Sequence, residues 1–108
     1  MPLDLPGPIA EYFKAEKARD ALALAQCFVD DGVVRDEGGT FRGTHAIRDW
    51  NAAARKKYQH TVEPLSVIQH DGATIVAGKV AGDFPGSPVT LNHIFRLKDE
   101  KILSLEIR

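Results

Sequence analysis

Two residues of this chain have types and surroundings that could move a proton: an aspartate that strand parity carries inward, and a histidine alone on an apolar strand face. Val33 to Asp36 alternate as a half-buried strand does, so Asp36 shares a face with Val34. Val34 belongs inside, and the carboxylate follows it inward where Gly38, Gly39 and Gly43 let the backbone turn away. There it could act as a general base; if the strand stops one residue sooner, Asp36 is a solvated turn acid beside two glycines. Further on, one strand face reads Val89, Leu91, His93, Phe95, Leu97 and the other Thr90, Asn92, Ile94, Arg96. His93 is the only polar member of its face, and leaving it unpaired would cost about 1–3 kcal/mol. Either it is a core histidine with a satisfied ring or it points into a cavity. The preceding strand bears on the choice, because Val76, Gly78, Val80 and Gly82 alternate on one side and fill little volume. They leave space, or the glycines mark bulges that bend the sheet.

The elements that must position these residues follow from periodicity. Gly7 and Pro8 open a helix with Ile9, Tyr12 and Phe13 at helical spacing, running to about Arg19. Tyr12 faces the same side as Ile9, where a buried tyrosine is ordinary core. Asp20 caps a second helix, Ala21 to Phe28, and Gly32 follows two acids as a helix stop would. Cys27 fits as a small core residue. Thr44 caps a third helix, His45 to Tyr58, with Ile47, Trp50, Ala54 and Tyr58 on one stripe. Its basic last turn, Arg55, Lys56 and Lys57, reads as a solvated face that suits the helix dipole. From His60 the period changes to alternation: strands at Thr61 to His70, Thr74 to Phe84, Val89 to Lys98 and Lys101 to Ile107 are joined by Asp71-Gly72, Pro85 to Pro88 and Asp99-Glu100. Helices first and an antiparallel meander after them argue an α+β fold, a curved antiparallel sheet wrapped around three helices in the N-terminal half.

Composition narrows the function classes. With 108 residues the expectation is one domain spanning 1–108. A formal net charge of −1 argues against nucleic acid and against an electrostatic membrane patch. The single cysteine permits no intrachain disulfide, and no stretch has the length of a signal or a membrane span, so the cytoplasm is expected. His45, His60 and His70 have no metal-ligand spacing, and no phosphate loop, nucleophile elbow or dinucleotide fingerprint is present, so no cofactor and no metal are implied.

Three phrases carry a family resemblance: Phe28 to Asp36 (Phe-Val-Asp-Asp-Gly-Val-Val-Arg-Asp), Phe41 to Trp50 (Phe-Arg-Gly-Thr-His-Ala-Ile-Arg-Asp-Trp) and Asn92 to Leu97 (Asn-His-Ile-Phe-Arg-Leu). Together with the element order, from about Ile9 onward they resemble the nuclear transport factor 2-like superfamily, which includes SnoaL-like polyketide cyclases and ketosteroid isomerases. The resemblance implies a cone-shaped sheet and a homodimer packed through the outer sheet face, for which Thr90, Asn92, Ile94 and Arg96 are compatible. It implies that Asp36 stands where the isomerases keep their base, and that Tyr12, 24 residues earlier, stands where they keep an oxyanion donor. Their second donor, a protonated aspartate, is replaced here by His93. An imidazolium there would weaken Asp36 as a base, so an isomerase-like mechanism needs His93 neutral; alternatively the histidine itself moves the proton, as in dehydratases of the superfamily. Trp50, Phe84 and Phe95 would form apolar walls. Two readings follow: a small cofactor-independent isomerase, cyclase or dehydratase acting on an apolar carbonyl-bearing molecule, or a non-catalytic binding or dimerisation module of the same fold.

Overall fold

The computed structural model describes residues 3–108. The chain forms helices α1 (Gly7–Ala18) and α2 (Ala21–Ala25), strands β1 (Phe28–Asp36) and β2 (Gly39–Arg42), helix α3 (Thr44–Tyr58), then β3 (Thr61–His70), β4 (Ala73–Ala81), β5 (Val89–Lys98) and β6 (Lys101–Ile107). Pro8 lies in the first turn of α1, and the helix ends at Arg19, whose left-handed backbone (φ 59°) returns its N–H to the carbonyls of Ala15 and Glu16. The Asp20 carboxylate caps α2 by accepting the Ala23 N–H at 3.0 Å.

Four local expectations are corrected. Helix α2 stops at Ala25, because Phe28 is drawn into the sheet, where it pairs with Ile102 of β6 and is almost wholly buried. Gly32 therefore lies within β1 and stops no helix; its carbonyl accepts the Gly43 N–H at 2.9 Å. Thr44 is the first residue of α3, the cap position belongs to Gly43, and no side chain caps that end. Finally, β2 forms where the sequence suggested only a turn: Glu37 (φ 51°) and Gly38 (φ 77°) make a two-residue reversal, and Asp36 pairs with Gly39. Four residues are too few to show alternation.

The strands order as β2-β1-β6-β5-β4-β3 in one curved, unclosed sheet. Neighbours run antiparallel except β1 and β6, which are parallel, so the sheet is not antiparallel throughout. The three helices fill its concave side, where Ile9, Tyr12 and Phe13 of α1, Leu24 of α2 and Ile47 of α3 meet Val34, Val76, Phe95, Ile102 and Leu105. On the convex side register aligns Ile68, Ile75 and Ile94 in a row across β3, β4 and β5, with Ile68 58 % exposed. Among the described residues no helix is long and apolar enough to cross a membrane.

Candidate active site

Between the helices and the open end of the sheet lies a cavity of about 300 Å³. Five of the six residues singled out in the sequence meet on its wall: Tyr12 from α1, Asp36 from the end of β1, Trp50 from α3, Phe84 from the β4–β5 connection and His93 from β5. Phe95 is the exception. It faces inward but is completely buried behind the cavity, its ring 5.3 Å from Tyr12 and 5.8 Å from Phe13, so it supports the wall and does not form it.

Asp36 is carried inward beside Val34 as parity requires, and half-buried. Burial raises its pKa above the ordinary carboxylate value, and the Trp50 indole, which donates Nε1–H to Oδ2 at 3.1 Å, partly offsets this by favouring the charged form. The result is an ionisable carboxylate with increased basicity, held in one orientation. Tyr12 is 2 % exposed, and burial, with the nearby carboxylates of Glu16 and Asp36, pushes its phenol well above its ordinary pKa. It therefore stays protonated, as a hydrogen-bond donor must.

His93 is buried against the edge of Phe13 and stacked along Phe95, and burial lowers its pKa, so the ring is neutral at pH 7. Its Nδ1 sits 3.2 Å from the Leu91 carbonyl. A carbonyl only accepts, so Nδ1 carries the proton and Nε2 the basic lone pair. The lack of a side chain on Gly78, across the strand pair, makes room for this ring: a Cβ there would stand 2.9 Å from His93 Cε1. Gly78 of β4 thus accommodates the imidazole.

A second polar group on the wall was not foreseen. Glu16 of α1 is only 4 % exposed yet its pKa is lowered: burial opposes ionisation, but His60, Arg55 and Asn51 together outweigh it. Arg55 Nη2 reaches Oε1 at 3.0 Å, Asn51 Nδ2 reaches Oε2 at 3.1 Å, and His60 Nε2 lies 3.3 Å from Oε1. Arg55 also donates to Asn51 Oδ1 at 2.8 Å, so it turns inward and leaves the solvated basic turn to Lys56 and Lys57. The signal was available in the sequence, because Ile47, Asn51 and Arg55 recur every four residues on one helical face. Among the described residues no cluster suited to a metal ion occurs. Cys27 donates its thiol to the Ala23 carbonyl at 3.4 Å and burial raises its pKa, as suits a structural cysteine.

An α+β cone with acid–base groups in its hollow defines a protein of nuclear transport factor 2-like architecture. Residues 9–105 match the SnoaL-like domain, and the chain belongs to that family. No curated relative matches at the sequence level. Among solved structures, a candidate polyketide cyclase from Sinorhizobium meliloti is 43% identical, with a TM-score of 0.93 over 97% of this chain and 96% of the other. A protein from Catenulispora acidiphila with a ketosteroid isomerase-like fold, bound to trimethylamine, is 20% identical with a TM-score of 0.83 over 97% and 86% of the two chains. The epoxide hydrolase/cyclase-like enzyme SalBIII, which acts in pyran ring formation in salinomycin, is 20% identical with a TM-score of 0.77 over 93% and 85%. The last two likenesses are likenesses of fold.

Proposed function

We propose that this protein is a cofactor-independent acid–base enzyme acting on an apolar, carbonyl-bearing small molecule held in the cavity. The observation that carries this reading is that one hollow presents a carboxylate made more basic by burial, Asp36, and a phenol locked in its protonated form, Tyr12. Asp36 removes a proton from carbon next to the carbonyl, the electron pair moves to the carbonyl oxygen, and the Tyr12 hydroxyl donates a hydrogen bond to the resulting oxyanion. The proton on Asp36 then returns to a different carbon, which completes an isomerisation, or the enolate carbon attacks a second carbonyl to close a ring and the Asp36 proton passes to the alkoxide so formed. His93, neutral and protonated on Nδ1, is suited to accept through Nε2 and less suited to be the second oxyanion donor. The likeness to the Sinorhizobium meliloti candidate cyclase supports this class of chemistry.

The test is turnover of a panel of β,γ-unsaturated ketones and diketones by wild type and Asp36→Asn. Loss of a single acid–base group should lower kcat by about 100-fold or more while binding persists. Ligands that bind equally to both proteins and are never converted would establish the non-catalytic binding module instead. We further propose that two copies pair through the convex sheet face, on which the Ile68, Ile75 and Ile94 row would be buried.

A further inference from the structure

A second hollow, of about 240 Å³, lies between the edge strand β2 and helix α3. It shares Asp36, Glu37, Trp50 and Tyr58 with the cavity and adds Phe41 of β2 and Ala53 of α3. Proton transfer in the cavity makes no use of it. Three aromatic rings meet two carboxylates there. The Phe41 and Trp50 rings lie 6.1 Å apart and tilted by 33°. Gly39 makes room for the first, since a Cβ on it would stand 2.9 Å from Phe41 Cζ. The polar edges of the other two rings are engaged by the carboxylates: Trp50 donates Nε1–H to Asp36 Oδ2 at 3.1 Å, and the Tyr58 hydroxyl donates to Glu37 Oε1 at 3.1 Å. The rings are left to offer a ligand their π faces, which are electron-rich, beside two acids.

The chain itself shows which charge this corner draws. At the exposed rim, Lys57 sets its ammonium 4.9 Å from the centre of the Tyr58 ring, and Tyr58, followed by Glu37, raises its pKa. The lining thus carries two carboxylates against one ammonium, and a further positive charge is favoured. Chemistry narrows the cation. A metal ion needs oxygen ligands on several sides, and among the described residues no cluster suited to one occurs. A primary ammonium is strongly hydrated and gains little from alanine and phenylalanine. An alkylated ammonium, weakly hydrated and sheathed in methyl groups, suits the rings, the alanine and the carboxylates together.

We propose that the hollow between β2 and α3 is a binding site for a small quaternary ammonium compound, which packs its methyl groups against Phe41, Trp50 and Tyr58 and pairs its charge with Glu37 and Asp36. The site is distinct from the cavity, although Asp36 and Trp50 belong to the wall between them. It does not depend on the proposed proton transfer.

The probes are choline and the neutral alcohol that has carbon in place of its nitrogen, a pair with one shape and different charge. Trp50 is the only tryptophan, so its fluorescence and its indole N–H resonance report the titrations. Choline should move both signals and bind at least about tenfold more tightly than the alcohol. Phe41→Leu and Glu37→Gln should each reduce that preference, and Lys57→Gln, which removes a competing ammonium, should tighten choline binding. Ala53→Phe changes an exposed residue that lines this hollow and not the cavity; it should block choline with helix and strand content unchanged by circular dichroism. Three results would each overturn the proposal: signals that millimolar choline does not move, equal affinity for the alcohol, or choline binding that Ala53→Phe leaves intact, which would place the ligand in the cavity. Ketones that are never converted would remove the proton transfer and leave this site standing.

Discussion

At the scale of single residues, the fold opposes ionisation of Tyr12, Asp36 and His93, whereas Glu16 beside them is held charged by its donors. Asp36 holds its proton to higher pH in the native protein than in the unfolded chain, whose carboxyl has the ordinary value of 3.8. Between those two values the native state binds more protons, so this group makes the fold less stable as pH rises through that window. Asp36→Asn mimics the protonated form and should raise Tm at pH 7 while lowering kcat by about 100-fold or more; near pH 3 the two proteins should melt together. A variant that melts lower at pH 7 would show the carboxylate to be structural. His93 has the opposite sense. Its pKa falls below the ordinary 6.5 because the buried ring resists charge, so its contribution to stability is complete above that value and is lost as pH falls from it toward the native pKa. Urea unfolding at pH 7 and pH 5.5 should show a loss of stability that His93→Gln reduces.

At the scale of elements, α3 is the part that organises the hollow. Its Trp50 holds Asp36 on one side, while the adjacent Asn51 and, one turn further on, Arg55 reach across to Glu16 of α1. Helix and helix are thus joined by a buried ionic network. Removing one charge from such a pair strands the other, so Arg55→Met should destabilise the fold by about 3–5 kcal/mol in urea unfolding. The double variant Glu16→Met with Arg55→Met should recover a large part of that loss, because two packed apolar side chains leave no charge to solvate. A single-variant cost below about 1 kcal/mol would mean that water already reaches Glu16.

At the scale of the whole molecule, the curved sheet separates two surfaces. The concave one closes over helices and cavity; the convex one carries the isoleucine row flanked by Thr90, Asn92 and Arg96. If that face pairs two copies, wild type should sediment as a dimer. Ile75→Lys should then give a monomer with the same helix and strand content, since a charge placed at the centre of the row must be desolvated in any symmetric contact. A monomeric wild type at micromolar concentration would remove the proposed pairing and leave the cavity chemistry untouched.

The bounds of β3, β5 and β6 and the inward faces of Asp36 and His93 were legible in the sequence, because period-two alternation is a local property that pairing with neighbours does not change. The family resemblance implied that Tyr12, Asp36 and His93 share one site, and all three line the same cavity. Other features were decided only by tertiary structure. Phe28 fits a helix or a strand equally well until Ile102, far along the chain, claims it. Arg55 reads as a solvated cation until the buried carboxylate of Glu16 stands opposite, and Phe95 and Trp50 read alike until the curvature of the sheet puts one behind the wall and the other on it. The local pattern determined which way the strand side chains point. What it meets there depends on contacts between distant residues, which no local pattern encodes.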